Sequence, residues 1–181
     1  YEEIYGVKTS IAVAKIFEKC QNATKKVLVL GRAGIGKSTF CQHVTYRWAT
    51  GKLWPQYDLF VLIRLRELTN ARYPSKEHYS LVDLVVREYL PYDDLSQEER
   101  DRFRELCTMG KILWILDGYD EFAQSIPEQL RTAFENIIST QHHLLTSRPY
   151  AVTLSYEVKM EIIGFTDNNI DKYVDRFFKE I

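Results

Sequence analysis

The stretch VLVLGRAGIGKST, residues 27–39, decides the fold of this chain. Its first four residues are apolar without alternation, which predicts a strand buried on both faces. Residues 31–38 then match the spacing G-x-x-x-x-G-K-[ST] at every fixed position. In such a loop the glycines let backbone N–H groups turn inward around phosphates, and the N-terminus of the following helix favours anions. A chance match in a glycine-rich turn is the alternative, and the position between an apolar run and a helical pattern speaks against it.

The polar residues of this phosphate loop have separate expected roles. Lys37 is expected to reach the β- and γ-phosphates, Ser38 to ligate Mg²⁺, and Thr39 to lie near the α- or β-phosphate. The variable positions carry no chemistry of their own. The predicted nucleotide-binding residues are those of the whole loop: Gly31, Arg32, Ala33, Gly34, Ile35, Gly36, Lys37, Ser38 and Thr39.

Apolar runs and helical periodicities alternate along the rest of the chain. Further strands are predicted at residues 59–65, 112–116, 143–146 and 159–163. Helices are predicted around residues 13–20, 41–48, 81–89 and 96–107 and from about residue 167, and the S-Q-E-E run at 96–99 predicts a capping box. Another helix is predicted to start at the S-I-P-E run, residues 125–128, and to continue to residue 138. This alternation predicts a mostly parallel sheet with helices on both faces. The polar segment 69–80 contains Pro74 and is predicted to be a mobile surface loop.

An acid ends the third predicted strand. Asp117 follows the apolar residues 112–116, so it would face the same crevice as the phosphate loop and hold Mg²⁺ through water. The alternative for Asp117 is a cap of the next turn. Asp120 and Glu121 come next, and one of them would orient or deprotonate an attacking water. We prefer Glu121 for that role and expect Asp120 to help hold the metal or the loop, with a solvent-facing acidic turn as the alternative.

Polar residues also end the fourth predicted strand, at Thr146, Ser147 and Arg148. A guanidinium binds phosphate oxygens bidentately, so Arg148 is predicted to report on the γ-phosphate. Either Thr146 or Ser147 would orient water or bond to the neighbouring acidic strand. The alternative for Arg148 is an ordinary surface arginine in a loop.

Composition excludes some partners and favours one compartment. The 181 residues carry a formal net charge of −1 without a long basic run, so neither nucleic acid nor a membrane is an expected partner. The apolar runs are far shorter than a membrane span. The three cysteines lack metal-ligand spacing, and free thiols fit a reducing cytosol. The chain opens on Tyr1 and is expected to be a fragment of a longer protein.

Four segments together resemble a NACHT domain. They are GRAGIGKST at 31–39, RWATGKLWPQYDLFVLIRLREL at 47–68, ILWILDGYDEF at 112–122 and LLTSRPYAV at 144–152. The resemblance spans residues from about 27 to 178. NACHT domains belong to the STAND class of signal-transducing, multi-domain P-loop ATPases, which includes animal innate immune receptors and bacterial defence proteins.

The resemblance implies a fold and a chemistry. The fold would be a P-loop NTPase α/β/α sandwich in three layers, with a five-stranded parallel sheet in the order 5-1-4-3-2. The ligands would be ATP or ADP with Mg²⁺, and residues 5–7 would pack against the adenine. Slow hydrolysis would use the catalytic residues Glu121, Asp120 and Arg148, with the metal at Ser38 and Asp117.

The resemblance also implies a domain organisation. Residues 1–163 would form the nucleotide-binding domain, with residues 1–24 as its lead-in and first helix. Residues 164–181 would begin a helical domain, whose remainder and the following winged-helix domain are expected as partners in the parent chain. The module would act as a cytoplasmic signalling or assembly switch, with nucleotide-dependent self-association of the full-length protein.

Three other functions remain open at this point. A P-loop phosphotransferase or nucleotide kinase would need an acceptor site and an arginine-rich lid. Arg64 and Arg66 are the nearest candidates, but they alternate on a predicted strand, which favours a structural role. A GTPase would carry N-K-x-D and D-x-x-G motifs, and neither occurs in the sequence. A scaffold that binds nucleotide without turnover is opposed by the intact phosphate loop and by the intact acidic motif.

Overall fold

The computed structural model describes residues 9–75 and 78–164, together with residues 171 and 175. In this part of the chain one parallel sheet consists of β1 (Lys26–Leu30), β2 (Leu59–Arg64), β3 (Ile112–Asp117), β4 (His142–Ser147) and β5 (Val158–Glu161). The α-helices are α1 (Lys37–Ala49), α2 (Leu81–Tyr89), α3 (Gln97–Thr108), α4 (Tyr119–Phe122) and α5 (Glu128–Thr140). Short 3₁₀ helices lie at Val13–Lys19, Leu65–Glu67 and Pro149–Ala151.

The strands lie in the order β2-β3-β4-β1-β5, and each neighbouring pair is parallel. This is the predicted order 5-1-4-3-2 read from the opposite edge, so the prediction is confirmed. Strand β4 lies between β1, which leads into the phosphate loop, and β3, which ends in Asp117. Because parallel strands all end at one edge, the loops after these three strands meet there.

Helices cover both faces of the sheet and form the predicted three layers. On one face, Val27 and Val29 pack in a core with the first 3₁₀ helix and with Cys41 and Val44 of α1. On the other face, Leu28 belongs to a core that includes buried residues of α2, α3 and α5. Successive side chains of β1 therefore enter opposite cores, which explains why this strand is apolar throughout.

Helices α2 and α3 each begin with a capping box. At the start of α3, Ser96 Oγ accepts from the Glu99 N–H at 3.3 Å, and the Glu99 carboxylate accepts from the Ser96 N–H at 2.8 Å. Ser80 and Asp83 form the same reciprocal pair at the start of α2. An N-cap of this kind stabilises its helix by about 1 kcal/mol. The predicted box at Ser96 is confirmed. The box at Ser80 was not predicted, because Asp83 replaces the usual Glu or Gln.

Some predicted elements differ in type or in extent. The helix predicted around residues 13–20 is a 3₁₀ helix at Val13–Lys19, and its N-cap, Ala12, makes no side-chain capping bond. Helix α5 begins at Glu128 with Pro127 as its N-cap and without a side-chain cap, so the predicted start at Ser125 is wrong. Strand β2 stops at Arg64 instead of Leu65, where the chain turns into a 3₁₀ helix. Strand β4 is one residue longer than predicted at each end, and β5 is shifted toward the N-terminus by one to two residues.

In its described residues, 69–75 and 78–80, the segment 69–80 is not the free surface loop that its polar composition predicts. Tyr73 and Tyr79 are buried in the core that includes α2 and α5. Gln129 of α5 donates through its side-chain amide to the Tyr73 carbonyl, and the Tyr79 N–H donates to the Gln129 carbonyl at 3.5 Å. The aromatic side chains anchor this segment, and the periodicity of the sequence does not reveal that role.

Two predictions lie outside the described residues. The proposed start of a helical domain at 164–181 is described only at residues 164, 171 and 175. The expected adenine contacts at residues 5–7 fall wholly in the part that is not described.

Candidate nucleotide site

The phosphate loop has a backbone that depends on its glycines. Gly34 and Gly36 have φ angles of +71° and +103°, left-handed values that other residues rarely adopt. A Cβ at either position would meet no atom within 4 Å, so conformation and not crowding requires glycine there. Gly31 differs, because a Cβ at this position would lie 2.7 Å from Cγ2 of Ile35. The loop therefore needs these glycines for two separate reasons.

Lys37 lies against the loop that precedes it. Its Nζ donates to the carbonyls of Gly31 at 2.9 Å and Arg32 at 3.0 Å, which holds a positive charge beside the loop backbone. Ser38 and Thr39 follow in the first turn of α1, and both are exposed. A free hydroxyl at a helix N-terminus next to a fixed ammonium fits a phosphate and its metal ion.

Strand pairing brings the phosphate loop beside the polar ends of the other strands. The Gly31 N–H donates to the Ser147 carbonyl at 3.1 Å, which continues the β1–β4 pairing into the loop. Leu116 of β3 pairs with Leu145 of β4, so these two strands end at the same level. The phosphate loop, the end of β4 and the end of β3 therefore lie side by side at the carboxyl edge of the sheet.

Asp117 is buried and tied to β4 through Thr146. The Thr146 hydroxyl donates to Asp117 Oδ1 at 2.7 Å and accepts from the Gly118 N–H at 3.0 Å. The thiol of Cys41 in α1 interacts with both side chains, and burial together with the Asp117 charge raises the pKa of this thiol well above its ordinary value. The uncharged Thr146 hydroxyl thus fixes the carboxylate, an arrangement typical of the surroundings of a metal ligand.

Asp120 and Glu121 lie in α4 and have different surroundings. The Asp120 side chain is only 7% exposed, and its Oδ2 lies 2.8 Å from Nε of Arg148. Its Oδ1 accepts from the Arg148 backbone N–H at 3.2 Å. Glu121 is exposed, and its carboxylate has no hydrogen bond or ion pair within the described part of the chain. Glu121 is therefore the acid whose carboxylate is accessible to a water molecule.

Arg148 follows β4 directly and has a second partner besides Asp120. Its Nη1 donates to the hydroxyl of Tyr150 at 2.9 Å. A guanidinium has five N–H donors, so donors remain for a phosphate oxygen. Arg148 is thus paired with a buried acid, and its contact to the γ-phosphate stays a prediction.

Some contacts of this edge were not predicted from the sequence. Cys41 was given no role at this edge, although its place one helical turn after Lys37 puts it near the end of β3. Tyr150 was not assigned a role, and no sequence signal singles it out. Arg64, the candidate for an acceptor site, pairs with Glu67 at 3.3 Å on the edge strand.

Metal and membrane features are limited in the described residues. They contain no group of three or more His, Cys, Asp or Glu side chains that would hold a metal ion. A Mg²⁺ ion at Ser38 and Asp117 would therefore need phosphate oxygens and water as further ligands, as is usual for this ion. In the same part of the chain no helix is both long enough and apolar enough to cross a membrane.

The parallel sheet in this order, the strand–loop–helix phosphate site and the acid at the end of β3 define a P-loop nucleotide-binding domain. The particular family follows from comparison with family models. The model of the NACHT domain matches residues 25–181, and the chain belongs to the NACHT family of P-loop NTPases, which are nucleotide-binding signalling modules.

Curated proteins with a similar sequence are long relatives of this chain. It is 28% identical over 201 residues to Protein NLRC5 of Ictalurus punctatus. This alignment covers 97% of this chain and 11% of that protein. It is 26% identical over 196 residues to Nucleotide-binding oligomerization domain-containing protein 2 of Bos taurus, covering 95% of this chain and 19% of that protein. Among solved structures, one of Drosophila ORC bound to DNA aligns over 90% of this chain and 41% of its own, with 13% identity and a TM-score of 0.45.

Proposed function

We propose that this domain is an ATP/ADP-dependent switch that binds Mg²⁺ and hydrolyses ATP slowly. One observation carries the proposal: the phosphate loop, Arg148 and Asp117 lie at the carboxyl ends of three strands that are adjacent in the order β1, β4, β3. The three strand ends would supply a phosphate cradle, a contact to the terminal phosphate and a metal ligand. Together these are the parts that ATP hydrolysis needs, since such catalysis consists mainly of positioning and charge stabilisation.

The binding roles follow from position. The N–H groups of residues 31–39 would cradle the phosphates, and Lys37 would exchange its two carbonyl partners for β- and γ-phosphate oxygens. Ser38 would ligate Mg²⁺ directly, and Asp117 would do so through water, with Thr146 holding the carboxylate in place. When bound, the metal would neutralise the charge on the phosphate oxygens.

The hydrolytic roles depend on the contrast between the two acids of α4. Glu121 is exposed and would polarise the attacking water as a general base. Arg148 keeps N–H donors that are not used within the described residues and would bind the γ-phosphate. ATP would then make one contact that ADP cannot make, between its γ-phosphate and Arg148. Through this contact the bound nucleotide would bias the conformational state of the protein.

The switch would act within a larger protein. The chain spans 11% and 19% of the length of the two relatives described above, which supports further domains in the parent protein. We propose residues 1–163 as the nucleotide-binding domain and residues 164–181 as the beginning of a helical domain that a winged-helix domain follows. Nucleotide state would set their packing and thereby control self-association. The free cysteines Cys20, Cys41 and Cys107 support a cytoplasmic location.

Two substitutions test the proposal, with nucleotide affinity and phosphate release as the measurements. Lys37→Ala should weaken ATP and ADP binding about 10- to 100-fold, since it removes charge-assisted hydrogen bonds. Glu121→Gln should keep ATP affinity and lower hydrolysis roughly 100-fold or more. Lys52→Ala and Glu135→Gln are matched controls at exposed positions away from this edge and should change neither quantity.

The alternatives give different results in the same assays. Unchanged ATP affinity in Lys37→Ala would refute the phosphate site. Phosphate transfer that requires an added acceptor would favour a phosphotransferase. ATP binding without any phosphate release from the unmodified chain would favour a scaffold without turnover.

A further inference from the structure

We infer that Asp120 is a positioning residue for Arg148, and is neither a metal ligand nor the base that activates water. The inference rests on the proposed function, in which Arg148 contacts the terminal phosphate. Asp120 holds the arginine at two points, accepting from its backbone N–H at 3.2 Å and from its Nε at 2.8 Å. These contacts fix both the backbone after β4 and the Nε end of the guanidinium.

Burial explains why this carboxylate is committed to one partner. The Asp120 side chain is 7% exposed, and each of its oxygens has one of the two bonds to Arg148. Separating a buried carboxylate from its charged partner is strongly unfavourable, so we expect Asp120 to stay paired with the guanidinium and not to bind a water molecule instead. Glu121, which is exposed, has no such constraint.

The packing of helix α4 on helix α5 holds the backbone of Asp120 in place. Tyr119 stacks on Phe134 of α5 with ring centroids 6.0 Å apart, and Phe122 meets the same ring edge-on at 5.1 Å. Gly118 begins this short helix with a φ of +87°, which sets its direction relative to β3. Asp120 therefore lies in a helix that is anchored by aromatic packing.

The consequence concerns Arg148 and its selectivity. An arginine side chain normally has several rotatable bonds to immobilise before it can bind a phosphate. With Nε held by Asp120 and Nη1 by Tyr150, the guanidinium is already oriented, and its remaining N–H donors are available. Asp120 thus contributes to the preference for ATP over ADP, and it does so only through Arg148.

A double-mutant cycle tests this dependence. The variants are Asp120→Asn, Arg148→Ala and the double variant, and the measurement is the ratio of the ADP to the ATP-analogue dissociation constants, with a non-hydrolysable analogue and saturating Mg²⁺. Each single substitution should lower this ratio about tenfold, as expected for one charge-assisted hydrogen bond. The double variant should fall no further than Arg148→Ala alone, because the two residues act as one unit.

Controls separate positioning from metal binding and from folding. Glu128→Gln breaks the exposed Glu128–Arg131 pair, whose atoms lie 2.9 Å apart, and should leave the ratio unchanged. ADP affinity without Mg²⁺ should be the same in Asp120→Asn as in the unmodified chain, which shows that the phosphate loop is intact. The Mg²⁺ concentration that half-saturates ADP binding should also be unchanged.

Each contrary result has its own meaning. Additive losses in the cycle, or a higher Mg²⁺ requirement in Asp120→Asn, would overturn the positioning role while leaving the proposed switch in place. Failure of the unmodified chain to bind ATP would refute the proposed function itself, and the inference with it.

Discussion

Replacing Thr146 with valine should destabilise the domain markedly, even though the two side chains have nearly the same shape. The hydroxyl makes two bonds: it donates to the buried Asp117 carboxylate at 2.7 Å and accepts from the Gly118 N–H at 3.0 Å. A hydrogen bond to a charged group is worth about 1.5–3 kcal/mol, and a buried donor left without a partner costs about 1–3 kcal/mol. Because the two effects overlap, we expect a loss of about 2–4 kcal/mol in the free energy of unfolding.

Urea unfolding without nucleotide measures this loss free of any effect on ligand binding. Thr108→Val is the matched control, because the Thr108 hydroxyl bonds to the Arg104 carbonyl at 3.0 Å on the exposed surface of α3, where water replaces it. The control should change stability by less than about 0.5 kcal/mol. Equal stabilities for the two valine variants would refute the idea that Thr146 holds the end of β3.

Two further predictions concern pH and the phosphate loop. Burial lowers the pKa of His143 to about 4, so the unfolded chain takes up more protons than the folded one below pH about 6.5, and stability should fall by up to about 3 kcal/mol as the pH is lowered from 7 to 4. Urea titrations at several pH values check this, and a His143→Gln variant that kept the same slope would contradict it. Gly36→Ala should weaken ATP binding at least about tenfold, because a φ of +103° is strained for alanine; Gly51→Ala, at φ +70° after α1, is the control that strains the backbone away from the site.

The fold was largely predictable because its signals are local. The apolar run at 27–30, the glycine spacing of the loop and the period of the helices each predict one element, and the resemblance to NACHT domains supplies the strand order that no periodicity contains. The phosphate loop was predictable for the same reason, since its backbone conformation is required by residues only a few positions apart.

The roles of the acids at the end of β3 were harder to predict. Asp120 and Glu121 are neighbours with similar chemistry, and spacing alone cannot say which one is buried. The packing of Tyr119 and Phe122 on Phe134 decides it, because it orients α4 so that Asp120 faces Arg148. Which acid is buried thus depends on Phe134 in α5, a tertiary contact that the local sequence does not contain.

The buried tyrosines of segment 69–80 were missed for a related reason. Polar neighbours and Pro74 made the segment resemble a free loop, whereas Tyr73 is fully buried. Isolated aromatic residues that anchor a loop leave no periodic signal, so only their partner in α5 reveals them.

The last two residues of β4 and the residue that follows them all contact the site, and this has a consequence for which genetic changes the domain can tolerate. Thr146 bonds to Asp117, the Ser147 carbonyl accepts from Gly31, and Arg148 pairs with Asp120. Inserting or deleting one residue within β4 would exchange its faces and break all three contacts together. A change of the Ser147 side chain to another small residue should be tolerated, because its contact to the loop is made by the backbone. The number of residues in β4 is therefore under stricter constraint than the identity of the Ser147 side chain.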